Sequence, residues 1–176
     1  MSDPTARPIR VFFSYAHKDE ELRDELATHL KLLQREGVIQ AWHDRQISAG
    51  TEWKNQIDAH LESARVILLL VSADFLASDY CIDIELKRAM ERQAANDARV
   101  IPVILRACDW HSAPFGKLQG LPKDGKPVTS WTNRDEAFAN IALGIRKVTF
   151  EFRMTVETKT SKQSKPLLLS ESARSH

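Results

Sequence analysis

Four largely apolar runs divide the chain: Ile9-Arg10-Val11-Phe12-Phe13-Ser14, Val38-Ile39-Gln40-Ala41-Trp42, Val66 through Val71, and Val100 through Leu105. The second is the weakest, and a fifth, Pro127-Val128-Thr129-Ser130-Trp131, is short. Apolarity that is continuous rather than alternating marks strands covered on both faces. Pro102 cannot donate to a sheet ladder, so its place in the fourth run must be one where a missing N–H is tolerated.

Between these runs the apolar period lengthens to that of helices. From Asp19 to Glu36, Leu22, Leu26, Leu30 and Leu33 form one stripe, and Gly37 is placed to end it. From Thr51 to Ala64 the stripe is Trp53, Ile57, Leu61 and Ala64. Ser78 or Asp79 can cap a helix reaching Arg92, with Ile82, Leu86, Ala89 and Met90 turned inward. Asn133 and Glu136 form a capping-box pattern ahead of Ala137, Phe138, Ile141, Ile145 and Val148. The order β-α-β-α-β-α-β-loop-β-α, with right-handed crossovers, predicts an α/β fold. The expected architecture is a flavodoxin-like five-stranded parallel sheet, order 2-1-3-4-5, with helices on both faces. Its ligand crevice would lie at the carboxyl ends of the first and third strands. Residues 1–8 read as a flexible N-terminus and 9–152 as the folded domain. Residues 153–176 lose all periodicity and read as a disordered tail or linker, in which Leu167-Leu168-Leu169 is an isolated apolar cluster.

Composition narrows the classes. The 43% hydrophobic content of 176 residues supports a full core, and 28% charged residues suits a soluble protein. A net charge of +1 provides no global attraction to nucleic acid or to an anionic membrane. No run approaches the length of a bilayer span, and Met1 to Pro8 carries no secretory pattern. Cys81 and Cys108 stand far apart in no metal-ligand spacing, which fits reduced thiols and a cytoplasmic protein.

The crevice selects the candidate chemistry. It gathers Ser14 to Asp19 after the first strand, His43 to Gly50 after the second, Ser72-Ala73-Asp74 after the third, and Glu85 on the following helix. No glycine-rich phosphate loop follows the first strand, which argues against dinucleotide-redox and P-loop folds. HExxH, CxxC and GxSxG are absent from the sequence. Ser14 and Ser72 stand where a phosphoacceptor domain would need aspartates. His17 and His43 lack a paired acid and read as solvated, Cys81 reads as a buried thiol, and Asp83 as surface.

Several motifs in order resemble the Toll/interleukin-1 receptor (TIR) domain family. Val11-Phe12-Phe13-Ser14-Tyr15 with His17-Lys18-Asp19 resembles its box 1, and Trp42-His43-Asp44-Arg45-Gln46-Ile47-Ser48-Ala49-Gly50 resembles its BB loop. Tyr80-Cys81 with Glu85-Leu86 resembles the third-helix motif, and Trp131 stands in for the C-terminal aromatic box. The match covers roughly residues 9 to 148, and Val100 to Leu105 and Trp110 to Trp131 resemble bacterial members.

The resemblance implies one of two functions. Some family members cleave NAD+ at the nicotinamide–ribose bond, giving nicotinamide and ADP-ribose or a cyclic form, and become active on self-assembly. Others are non-enzymatic adaptors that bind further TIR domains. For the enzyme, the resemblance implies Glu85 as the catalytic carboxylate, in a pattern where cysteine at 81 replaces the usual tryptophan. It implies Phe13, Ser14, Tyr15, Trp42, Asp44 and Arg45 as nucleotide-binding residues, NAD+ as substrate with no separate cofactor, and no metal. Arg45 is placed either to pair with Asp44 or to meet a phosphate. For either function it implies self-association through the BB loop, Asp44 to Gly50, with no nucleic-acid or membrane partner. The enzyme would serve bacterial immune defence. One carboxylate suffices chemically, because nicotinamide leaves without acid assistance from an oxocarbenium-like transition state.

Overall fold

Val66–Val71, here β3, is the spine of the sheet, and all six of its side chains are fully buried. Each removes about 1.5–3 kcal/mol of apolar surface from water, which is why an all-apolar hexapeptide settles at the centre. The computed structural model describes residues 7–42, 49–50 and 52–174, with the side chains of Trp42, Trp53, Asn55 and residues 156–174 excepted. β1 (Ile9–Ser14) lies on one side of β3 and β4 (Arg99–Ile104) on the other, with β2 (Ile39–Trp42) outside β1. All pairings are parallel, in the order β2-β1-β3-β4. The register sets Ser14 beside Leu69 and Leu69 beside Pro102, so the carboxyl ends of three strands meet at one edge.

The parallel α/β architecture agrees with expectation, but the fifth strand does not. Val128–Ser130 forms a single 3-10 turn where a strand was expected. The fifth position is taken by one residue, Leu121, bridged to Val103. Its N–H donates to Pro102 O at 2.8 Å and its carbonyl accepts from Ile104 N at 2.8 Å. The Pro102 carbonyl therefore points away from β3, and so does the side of the residue that lacks an N–H. The proline is tolerated because that edge carries one bridge rather than a full ladder. Pro127 opens the short run and has no N–H to give to a ladder.

Helices cover both faces. After a 3-10 turn at His17–Asp19, α1 (Glu20–His29) and α2 (Lys31–Arg35) bury Leu22, Leu26, Leu30 and Leu33. Gly37, at φ +73°, ends the pair while Val38 N returns to Leu33 O at 3.0 Å. On the opposite face α3 (Trp53–Ser63), α4 (Ala73–Ala77) and α5 (Lys87–Ala94) share one core with Phe12, Ile67, Leu69, Val71, Val100 and Ile104. Buried Arg92 on α5 satisfies the end of α3, donating to Leu61 O at 2.7 Å and Ala64 O at 2.6 Å. α6 (Arg134–Arg174) begins at Asn133, whose Oδ1 accepts from Glu136 N at 3.3 Å, as the capping pattern predicts.

The backbone of α6 is helical to Arg174, past residue 153 where the apolar periodicity stops. Loss of an apolar stripe removes the sign of packing. It does not remove helix propensity, and the Glu, Lys, Gln and Met of this stretch are good helix formers. The chain divides into one compact unit of residues 1–144 and a second of residues 145–176. Among the described residues no helix is long and apolar enough to cross a membrane.

Candidate functional site

Where β1 and β3 end, a cleft of about 390 Å³ opens, and Phe13, Tyr15, Tyr80, Cys81 and Glu85 are among its lining residues. Glu85 is only 6% exposed although it sits on a helical segment, and Ser14 Oγ donates to its Oε1 at 3.2 Å. The local cause of this burial is a widened turn. Ser78 caps the segment by accepting from Cys81 N at 3.2 Å, and Cys81–Leu86 then winds as a π-helix before α5 begins. A regular α-helix that buries Leu86 and Ala89 would leave Glu85 on the flank. The i→i+5 turn takes up one extra residue, so Glu85 and Leu86 are both buried while Asp83 and Ile84 face solvent.

The same turn brings Tyr80 and Cys81 to the cleft together. The Cys81 thiol donates to Tyr15 O at 3.5 Å. Burial pushes this thiol up to about 11, and the nearby Glu85 charge pushes the same way against the Ser78 hydroxyl. It is therefore a neutral packing group at physiological pH, in line with the buried-thiol reading. Tyr15 is further held by buried Arg23 of α1, whose guanidinium carbon lies 5.2 Å from the ring centroid.

A second polar cluster adjoins the cleft. Asp19, 1% exposed, accepts a short hydrogen bond from Ser72 Oγ and one from Arg106 Nε at 2.8 Å. Ser72 also caps α4, accepting from Phe75 N at 3.1 Å. The other arm of Arg106 pairs with Asp74, which faces Lys18 Nζ at 3.5 Å. Arg106, with a smaller contribution from Lys18, holds the Asp74 carboxyl below the usual carboxylate range.

The sequence-selected residues thus separate into three groups. Glu85, Phe13 and Tyr15 line one cleft, and Ser14, fully buried, reaches it through Glu85. Trp42 ends β2 opposite Phe12, with its side chain outside the described residues. His43, Asp44 and Arg45 lie outside them too, as does the BB-loop segment as far as Ser48. Sequence reasoning missed Arg106 and the burial of Asp19. The available signal was a cation directly after the apolar run Val100–Leu105, at a strand end where the crevice was already placed.

With this geometry in place, comparison with known proteins is informative. A family model described as the TIR domain matches residues 11–141. An uncharacterized protein, y4lF, of Sinorhizobium fredii is 59% identical over 137 residues, 78% of this chain. The match covers 42% of that relative, so the chain spans less than half its length. The crystal structure of the TIR domain of the Toll-related receptor TRR-2 from Hydra magnipapillata superposes with a TM-score of 0.56 at 21% identity. It covers 77% of this chain and 97% of that one, a likeness of fold. A parallel α/β sheet, a strand-end cleft and a family match across most of the chain lead to one conclusion: this protein belongs to the TIR domain family.

Proposed function

We propose that this chain is a TIR-domain NAD+ nucleosidase, activated by self-assembly and acting in bacterial immune defence or signalling. One observation carries the reading: the Glu85 carboxylate lies in the cleft lining, nearly buried, with Oε1 held by the Ser14 hydroxyl at 3.2 Å. In the proposed reaction the bond from ribose C1′ to the pyridinium nitrogen breaks. Its electron pair goes to the ring, and nicotinamide leaves neutral. Positive charge develops at C1′ and the ring oxygen, and a fixed carboxylate in a water-poor site stabilises it. Water then attacks C1′ and loses a proton to give ADP-ribose, or an adenine nitrogen attacks in its place to close a cyclic product. Phe13, Tyr15 and Tyr80 provide aromatic surface for the departing ring. The i→i+5 turn lets Tyr80, five residues before Glu85, occupy the wall that cysteine at 81 leaves without an aromatic.

The cleft volume, about 390 Å³, is at the lower end of the roughly 300–1,000 Å³ range of ligand pockets. That suits the nicotinamide–ribose half of the substrate and leaves the remainder to be held by another surface, as assembly through residues Asp44 to Gly50 would provide. Under this reading Trp42, Asp44 and Arg45 serve the nucleotide from that loop.

The test is nicotinamide release from NAD+ by the full chain fused to an oligomerising domain. Wild type is expected to turn over, and Glu85→Ala to lose about 10²–10³-fold or more. Equal turnover by both proteins would remove Glu85 from the mechanism. A second reading, a non-enzymatic adaptor binding other TIR domains, is favoured by cysteine at 81 in place of the tryptophan usual in enzymatic members. Self-association without nicotinamide release under forced assembly would establish it.

A further inference from the structure

We infer that Arg106 is a positioning residue of the cleft, clamping the turn after β1 to the start of α4 and balancing the charge of the wall between them. The kinetic part of this inference rests on the NAD+ reading; the structural part does not. Arg106 stands two residues after the end of β4, and the backbone there is anchored to β3, with Leu105 N and Arg106 N donating to Val71 O at 2.9 and 3.4 Å. From there one arm of the guanidinium meets Asp19, after β1, and the other meets Asp74, after β3. A single side chain thus ties together the carboxyl ends of three adjacent strands. Asp19 is further fixed by Ser72, which caps α4. The clamped elements supply cleft lining: Tyr15, His17 and Lys18 from the turn, and Asp74 from α4.

The charges explain why a planar, two-armed cation stands there. Asp19 is 1% exposed, and a carboxylate so far from water is costly unless a cation lies beside it, as Arg106 Nε does at 2.8 Å. Arg106 and Lys18 together match Asp19 and Asp74, but Lys18 is 80% exposed and touches only Asp74. Without Arg106 the wall would carry one uncompensated negative charge against an anionic diphosphate. Glu85 and Ser14 would keep their own hydrogen bond. Loss of Arg106 should therefore weaken substrate binding more than the chemical step. The other ionisable groups facing the clamp are His17 and Lys18 from the turn, Asp74 from α4, and Cys108 and Asp109 from the segment after β4. All of them are shared by wild type and variant, so the variant-to-wild-type ratio isolates the clamp.

The experiment compares oligomeriser-fused full chains of wild type, Arg106→Met and Arg106→Lys by nicotinamide-release kinetics and by amide hydrogen exchange. Arg106→Met should raise KM about tenfold with kcat within about twofold, the effect of one unpaired charge near the substrate. Exchange should quicken in peptides covering residues 15–19 and 72–77 and stay unchanged in β3, and Arg106→Lys should recover most of both effects. An unchanged KM with unchanged exchange overturns the inference, as does a kcat loss at constant KM. If wild type releases no nicotinamide, the NAD+ reading fails and the exchange data alone decide the clamp. If Arg106→Met does not fold, Asp74→Asn, which frees one arm, decides it: exchange at residues 72–77 must quicken, and unchanged protection counts against the clamp.

Discussion

Two buried carboxylates sit at the same edge of the sheet, and their surroundings are crossed counterparts. Glu85, on the segment after β3, accepts from a serine that ends β1. Asp19, on the turn after β1, accepts from a serine that follows β3. The difference lies in what else each one meets. Asp19 is paired with Arg106 and is absent from the cleft lining, whereas Glu85 is part of that lining. Burial of an acid is thus no guide to its role. The acid paired with a cation lies outside the cleft lining, and the other acid reaches the cavity.

This contrast can be broken or sharpened by substitution. The largest effect on stability belongs to Asp19. Asp19→Ala strands the hydroxyl of Ser72 and one arm of Arg106, and should cost about 3 kcal/mol, read as a lower urea midpoint at unchanged slope. Glu85→Ala should cost far less stability than that while removing the proposed activity. If the two stability losses are equal, the division of roles between the acids fails. A smaller effect is expected for Ser14→Ala. It deletes the hydroxyl bond from Ser14 to Glu85 and should lower nicotinamide release several-fold, with about 1 kcal/mol of lost stability. The smallest effect concerns Cys81. Its thiol, raised to about 11, remains protonated at pH 8, so iodoacetamide should label the half-exposed Cys108 first, as peptide mass mapping would read. Rapid labelling of Cys81 would mean that the wall beside Glu85 opens.

Much of this was legible in the chain. Apolar runs at Ile9–Ser14, Val66–Val71 and Val100–Leu105 became β1, β3 and β4, because a strand covered on both faces must be apolar throughout. Gly37, Ser78 and Asn133 ended or capped helices as their chemistry requires. The crevice was placed from topology alone, and Phe13, Tyr15 and Glu85 line the cleft found there. Pro127 to Trp131 did not become a strand: Val128–Ser130 makes a 3-10 turn, and Leu121 took the edge with a single bridge.

By itself the sequence determined the buried strands and the parallel α/β class, since these follow from local periodicity and from the handedness of crossovers. Only the tertiary structure decided that Cys81–Leu86 would wind as a π turn, burying Glu85 and bringing Tyr80 into the cleft beside it. It alone joined Asp19, Ser72, Asp74 and Arg106, which are up to 87 residues apart in the chain. Their partnership is set by where three strand ends converge, and by the cost of leaving a buried charge unpaired, neither of which is written in any short stretch of residues.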